Sequence, residues 1–131
     1  MVADPSLSFA SVAELSALLE RRAVSSEELV RNALKRLEAT QPLLNAFTHV
    51  DEAGALSAAR ACDHERLGRR AGDAPLGALH GLPISVKELI EVAGMPCRYG
   101  SRTMAAHVAT DDAPSVARVR RAGAVILGMT N

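Results

Sequence analysis

Apolar residues recur at helical spacing through the first forty positions. Leu15, Leu18 and Leu19 share one face behind Ser11 and Glu14, the S-x-x-E arrangement of a capping box, and predict a helix over 11–22. A second start at Ser25 and Ser26 places Glu27 and Glu28 near the positive end of the helix dipole. It introduces the stripe Val30, Ala33, Leu34 and Leu37, spaced i, i+3, i+4, i+7. Pro42 is expected to close this helix. Residues 11–40 therefore read as a helical hairpin.

The pattern then alternates between strand and helix. Residues 45–50 (N-A-F-T-H-V) are rich in strand formers. Residues 51–70 return to helical character through Ala53, Leu56, Ala59 and Leu67, although Arg60 and Asp63 interrupt that stripe. Gly72, Pro75, Gly77 and Gly81 mark 71–81 as a loop. From 82 to 87 the alternation is strict: Leu82, Ile84 and Val86 on one side, Pro83, Ser85 and Lys87 on the other. After an irregular loop over 94–102, Asp112 is the expected N-cap of a helix with Pro114 in its first turn and Gly123 past its end. A buried strand over 124–127 follows. Two helix–strand units predict an α/β fold, a sheet covered by helices, with 44–131 as the start of its core and no linker that divides it. A core strand at the end of the sequence leaves the sheet short of its next cover, so 1–131 is expected to be part of one incomplete domain.

Fifteen basic and fifteen acidic residues cancel, which argues against nucleic acid as a direct partner. Arg118, Arg120 and Arg121 fit the solvated face of the last helix. Phe9, Phe47 and Tyr99 are the only aromatic residues, too few for a base-stacking surface, and they leave the core to aliphatic side chains. Cys62 and Cys97 form no framework and read as reduced thiols. No basic segment followed by an apolar stretch opens the chain, and the apolar run 122–129 is too short for a bilayer. A soluble cytoplasmic protein without membrane contact is expected.

The candidate chemistry is confined to one segment. His49, His64, His80 and His107 are dispersed without metal-ligand spacing, so no metal site is expected. Phosphate-loop, dinucleotide and G-x-S-x-G patterns are absent as well. What remains is P-L-G-A-L-H-G-L-P-I-S-V-K-E at 75–88. Lys87 there is either an end-of-strand lysine that reaches solvent or a functional group at the C-terminal end of a strand, where α/β sheets bind ligands. If helices cover both faces, the alternation carries it inward, where burial favours the neutral amine and makes a lysine a general base for a serine. Ser85 lies about 6.6 Å along the same strand face, but no orienting third group or oxyanion hole accompanies the pair.

This segment resembles the lysine motif of the amidase signature family, G-[IVL]-P-x-x-[VI]-K-[DE], with Gly81, Leu82, Pro83, Val86 and Lys87 in register. The similarity continues upstream through the helical hairpin, L-N-A-F at 44–47 and A-R-A-C-D at 59–63. Downstream it continues through Val92, Ala93 and Gly94, Gly100 and Ser101, Asp112 and Ala113, and A-G-A-V-I-L-G-M-T-N at 122–131. The resemblance implies the N-terminal portion of an α/β sandwich with a mixed central sheet. It also implies amide hydrolysis without cofactor by a Ser–cis-Ser–Lys triad acting on a small-molecule amide. Lys87 is then the catalytic residue and Gly81, Pro83 and Glu88 support the motif; Glu88 stands where most members have Asp. Both serines belong to a later Gly/Ser-rich run not found in these residues, so the chain alone is expected to be inactive. The amidase-like component of tRNA-dependent amidotransferase, working with partner subunits, shares the motif and is the alternative. A homodimer is a further candidate assembly, and a non-catalytic interaction module is the reading of another class.

Overall fold

The computed structural model describes residues 4–131. Helices α1 (Pro5–Ser8), α2 (Val12–Glu20) and α3 (Ser26–Leu44) lead into strand β1 (Phe47–Val50), helix α4 (Glu52–Gly68) and strand β2 (Pro83–Lys87). A 3₁₀ turn (Arg102–Met104), helix α5 (Pro114–Arg121) and strand β3 (Val125–Thr130) follow. In the sheet β3 lies between the others, antiparallel to β1 and parallel to β2. The fold is α/β with a mixed sheet.

Alternation along β3 builds a core on each face. Val125 and Leu127 pack against Val30 of α3 and against Ala55 and Ala59 of α4, where small side chains let the two helices approach. Ile126 faces the other way, with Val86, Val92, Met95 and Val116 of α5. Met129 joins Ile126 rather than Leu127, because Gly128 bulges the strand and shifts its phase by one residue. Gly128 sits at φ +155°, and a Cβ there would overlap the His49 carbonyl oxygen. The bulge is also why β3 outruns the strand expected over 124–127: the alternation breaks inside it. A third cluster joins Leu19, Val24, Leu29 and Leu82, so Leu82 packs under the first helices and not with Ile84 and Val86.

Both capping boxes form. Ser11 and Glu14 bind each other's backbone N–H groups, as do Ser25 and Glu28. Hydrogen bonds from Ser25 hold the Glu28 carboxyl below its ordinary range against a smaller opposing effect of burial. The helices expected over 11–40 are present as α2 and α3, but the main helical partner of α3 is α4. Asp63, which interrupts the α4 stripe, explains part of this pairing. Its carboxylate accepts the N–H groups of Ser26 (2.7 Å) and Glu27 (3.0 Å), a cap for α3 supplied from another helix. Arg60, the other interruption, pairs with Glu27 at 3.2 Å. Ala55 and Ala59 form the buried face of α4, whereas Leu67 is exposed.

Two helix boundaries differ from expectation. Pro42 lies inside α3, which continues to Leu44. A proline in the last turn deprives only one carbonyl of its partner, and the stop comes from left-handed Asn45 (φ 46°), whose N–H binds Gln41 O at 2.8 Å. The N-cap of α5 is Ala113, without a side-chain hydrogen bond. Asp112 instead accepts the Ala93 N–H at 2.8 Å and pairs with Arg120 at 2.7 Å, joining α5 to the loop after β2.

Candidate active site at the end of β2

Gly81 and Pro83 set the start of β2. Gly81 has φ +83°, and a Cβ there would overlap the hydroxyl of Ser26, which is fully buried at the start of α3. Its N–H binds Gly123 O at 2.9 Å. Pro83 opens an edge strand opposite Val125, a position that needs no donor. Parallel pairing with β3 then delivers Lys87 beside Thr130. The helices that cover both faces do not enclose Lys87. It is exposed, has no hydrogen-bond or ion-pair partner among the described residues, and lines an open groove of about 440 Å³. Of the two readings of Lys87, the one that reaches solvent describes this chain: alternation turns the side chain away from Val86, and nothing among the described residues closes the groove over it.

Glu88 is the buried member of the motif. Its backbone N–H binds Thr130 O at 2.8 Å, and its carboxylate accepts the Arg98 N–H at 2.9 Å and faces the Arg98 guanidinium at 3.7 Å. Burial opposes its charge. The Thr48 hydroxyl, the Arg98 N–H and the charges of Arg98 and His49 outweigh that cost and hold the carboxyl below its ordinary range.

The loop tied down by Glu88 forms the facing wall. Residues 94–109 fold back as a short ladder, with Gly94 N–H on Ala109 O (2.8 Å), Ala109 N–H on Met95 O (3.1 Å) and Cys97 N–H on His107 O (3.2 Å). At its tip Tyr99 takes a left-handed conformation (φ 53°), and its hydroxyl donates to Glu91 at 2.7 Å. His107 meets the same oxygen at 3.1 Å. These contacts lower the Glu91 carboxyl, the Tyr99 bond first, and that bond raises the Tyr99 phenol. Gly100, Ser101 and Arg102 therefore reach the groove from a braced loop.

Of the residues singled out in the sequence, Lys87, Glu88, Gly100 and Ser101 meet at this groove, while Gly81 and Pro83 lie at the other end of β2. Thr48, Arg98 and Arg102 were not singled out. Gly94 and Gly100 marked their loop, but nothing local reveals which strand end it folds over. Elsewhere, burial pushes the Cys62 thiol up, and its sulfur lies 3.8 Å from Gly123 O. Among the described residues no three metal-ligating side chains gather, and no helix is long and apolar enough to cross a membrane.

A helix-covered mixed sheet with a lysine at the end of an edge strand defines a class, and comparison gives it a family. The Amidase family model matches residues 28–131, and the chain belongs to that family. It is 43% identical over 121 residues to the glutamyl-tRNA(Gln) amidotransferase A-type subunit of Salinispora arenicola, covering 92% of this chain and 24% of that protein. It is 47% identical over 113 residues to the putative amidase AmiA2 of Mycobacterium tuberculosis, covering 86% and 22%. Among solved structures, native peptide amidase from Stenotrophomonas maltophilia superposes with a TM-score of 0.85 at 35% identity, over 97% of this chain and 25% of that one. The chain thus spans about a quarter of the length of these relatives.

Proposed function

We propose that this chain supplies the lysine base of an amide-cleaving serine enzyme. In this reading Lys87 takes a proton from a bridging serine, which activates a nucleophilic serine for attack on the amide carbonyl. Backbone N–H groups near the nucleophile hold the oxyanion that forms. Both serines lie outside these 131 residues, which contain no Gly/Ser-rich run, and the chain alone is inactive. The observation that carries the reading is the placement of Lys87: without a partner among the described residues, at the C-terminal end of a strand, in an open groove walled by a braced loop. No metal or organic cofactor takes part, and the substrate is a small-molecule amide. The protein works in the cytoplasm, in keeping with its free cysteines Cys62 and Cys97.

The similarity to the glutamyl-tRNA(Gln) amidotransferase component supports a second reading, in which the same chemistry releases ammonia from an amide inside a complex with partner subunits. The test is Lys87→Met in a complete amidase polypeptide carrying these residues, assayed on an aryl amide and on glutamine. Activity on the aryl amide without partners favours the hydrolase, and glutamine turnover that appears only with partner subunits favours the amidotransferase. Full activity of the folded variant on either substrate overturns the role of Lys87.

A further inference from the structure

We propose that a pocket at the opposite end of β2 from Lys87 binds a phosphate group. It is a hollow of about 400 Å³ between the ends of α2 and α4 and the loop before β2. Ser16, Glu20, Arg22, Arg66, Arg69 and His80 line it, and residues 75–78 form its rim. Arg31, Arg60, Arg98 and Arg120 each face a carboxylate, whereas the three arginines of this pocket meet none among the described residues. Arg22 Nη2 donates to Arg66 O at 3.3 Å, Arg66 Nη2 to His80 O at 3.0 Å and Arg69 Nη2 to Asp73 O at 3.1 Å. Neutral acceptors thus hold three guanidinium groups in place and leave their charges unmatched.

Glu20 is the one carboxylate that lines the pocket. His80 adds no charge: a guanidinium can only donate, so His80 Nδ1 accepts from Arg66 Nη2 at 3.0 Å, and Nε2 carries the proton towards Glu65 at 3.0 Å. Glu65 and Asp73 border the adjoining hollow, which Arg120 and Arg121 also line. Three guanidinium groups against one carboxylate leave an excess of two positive charges, the amount that a phosphate dianion cancels. Further donors are free. The Ser16 hydroxyl and the N–H groups of Leu76, Gly77 and Ala78 have no partner among the described residues, and Arg66 Nε is buried without one. That supply exceeds what two carboxylate oxygens accept and suits the three terminal oxygens of a phosphate. Arg22 adds a second indication. It closes α2 at φ 57°, a conformation that favours glycine or asparagine, so its side chain and not its backbone accounts for an arginine there.

The experiment is an NMR titration of the labelled 131-residue chain with inorganic phosphate at about pH 7.5, where the dianion prevails, with chloride keeping the ionic strength constant. Amide shifts should saturate in the low millimolar range and fall on 20–22, 66–69 and 76–78. Arg22→Gln and Arg69→Gln should each weaken binding roughly fivefold, the equivalent of about 1 kcal/mol for an exposed ion pair. Glu20→Gln removes the competing carboxylate and should tighten binding by a similar factor. Glu20 has no hydrogen-bond or ion-pair partner among the described residues, so this variant tests the pocket even where an arginine variant unfolds. Arg102→Gln deletes the same charge at the far end of β2 and should leave the affinity unchanged. Glycerol 3-phosphate separates the two sources of the group: tighter binding than inorganic phosphate assigns the pocket to a phosphorylated small molecule, and equal or weaker binding assigns it to free phosphate. Shifts that stay linear in phosphate, or acetate bound as tightly as phosphate, overturn the proposal. So does an affinity unchanged in folded Arg22→Gln, Arg69→Gln or Glu20→Gln, or one that Arg102→Gln lowers as much.

Discussion

The Glu88 carboxylate accepts the backbone N–H of Arg98 at 2.9 Å, so one buried side chain joins the end of β2 to the loop that faces Lys87. Because this carboxyl is held below its ordinary range, its contribution is present above the unfolded-state value, about 4.3, and is lost as pH falls through the folded value. Glu88→Gln keeps one acceptor but loses the charge that faces Arg98. It should destabilise the chain by about 1–2 kcal/mol at pH 7, with faster hydrogen exchange at the Arg98 amide. Wild type and variant should converge in strong acid, once pH is below the folded value. Urea denaturation at both pH values checks this, and equal stability at pH 7 would remove Glu88 as the tie.

Gly128 permits the bulge that turns Met129 towards α5. Gly128→Ala meets both a disfavoured φ and the His49 carbonyl, and should cost about 2–3 kcal/mol. Gly72→Ala is the control: its φ of +94° is also disfavoured, but nothing lies within 4 Å of the added Cβ. It should cost about 1 kcal/mol. Similar losses in the two variants would show that the contact with β1 contributes little.

Asp63 caps α3 from α4, and Asp63→Ala leaves the N–H groups of Ser26 and Glu27 without their acceptor. Ser26 is fully buried, so the loss should be about 2 kcal/mol. Asp63→Asn should recover part of it. Thermal unfolding of the three proteins tests the ranking, and a neutral Asp63→Ala would contradict the tertiary cap.

Local signals in the sequence were dependable where the physics was local. Ser11 with Glu14 and Ser25 with Glu28 mark helix starts that the folded chain uses, and the alternation at 82–87 gives β2. Signals failed where a distant partner decides. Asp112 reads as a cap but is taken by Ala93 and Arg120, and Asp63 reads as a break in a stripe but caps α3. Pro42 reads as a stop, yet Asn45 supplies it. Lys87 and Glu88 were legible through their motif. Arg98 and Arg102 were not, because only the fold-back of 94–109 brings them to the strand end.

The isolated chain should turn over no amide. Ser85 is exposed two residues before Lys87, and among the described residues none orients the pair. Triad members act as a unit, so a base without its serines contributes nothing measurable. Turnover of an aryl amide by the 131-residue chain, lost in Ser85→Ala, would overturn this and establish a local Ser85–Lys87 dyad.

The last prediction separates stability from chemistry at Lys87. Lys87 is exposed and has no hydrogen-bond or ion-pair partner among the described residues, so Lys87→Met should change stability by no more than about 0.5 kcal/mol. Methionine keeps the length of the side chain and its fit to the groove but cannot accept a proton. In a complete amidase polypeptide carrying these residues, kcat should fall about 10²–10⁴-fold, the range supplied by a positioned general base. KM should move little, since a general base acts on the transition state more than on the bound ground state. Lys87→Arg should be nearly as inactive, because a guanidinium stays protonated, and it distinguishes loss of a base from loss of a positive charge. Paired denaturation and steady-state kinetics on wild type and both variants decide the matter. An active Lys87→Arg would show that charge alone is needed, and a near-normal kcat in folded Lys87→Met would end the assignment of Lys87 as the base.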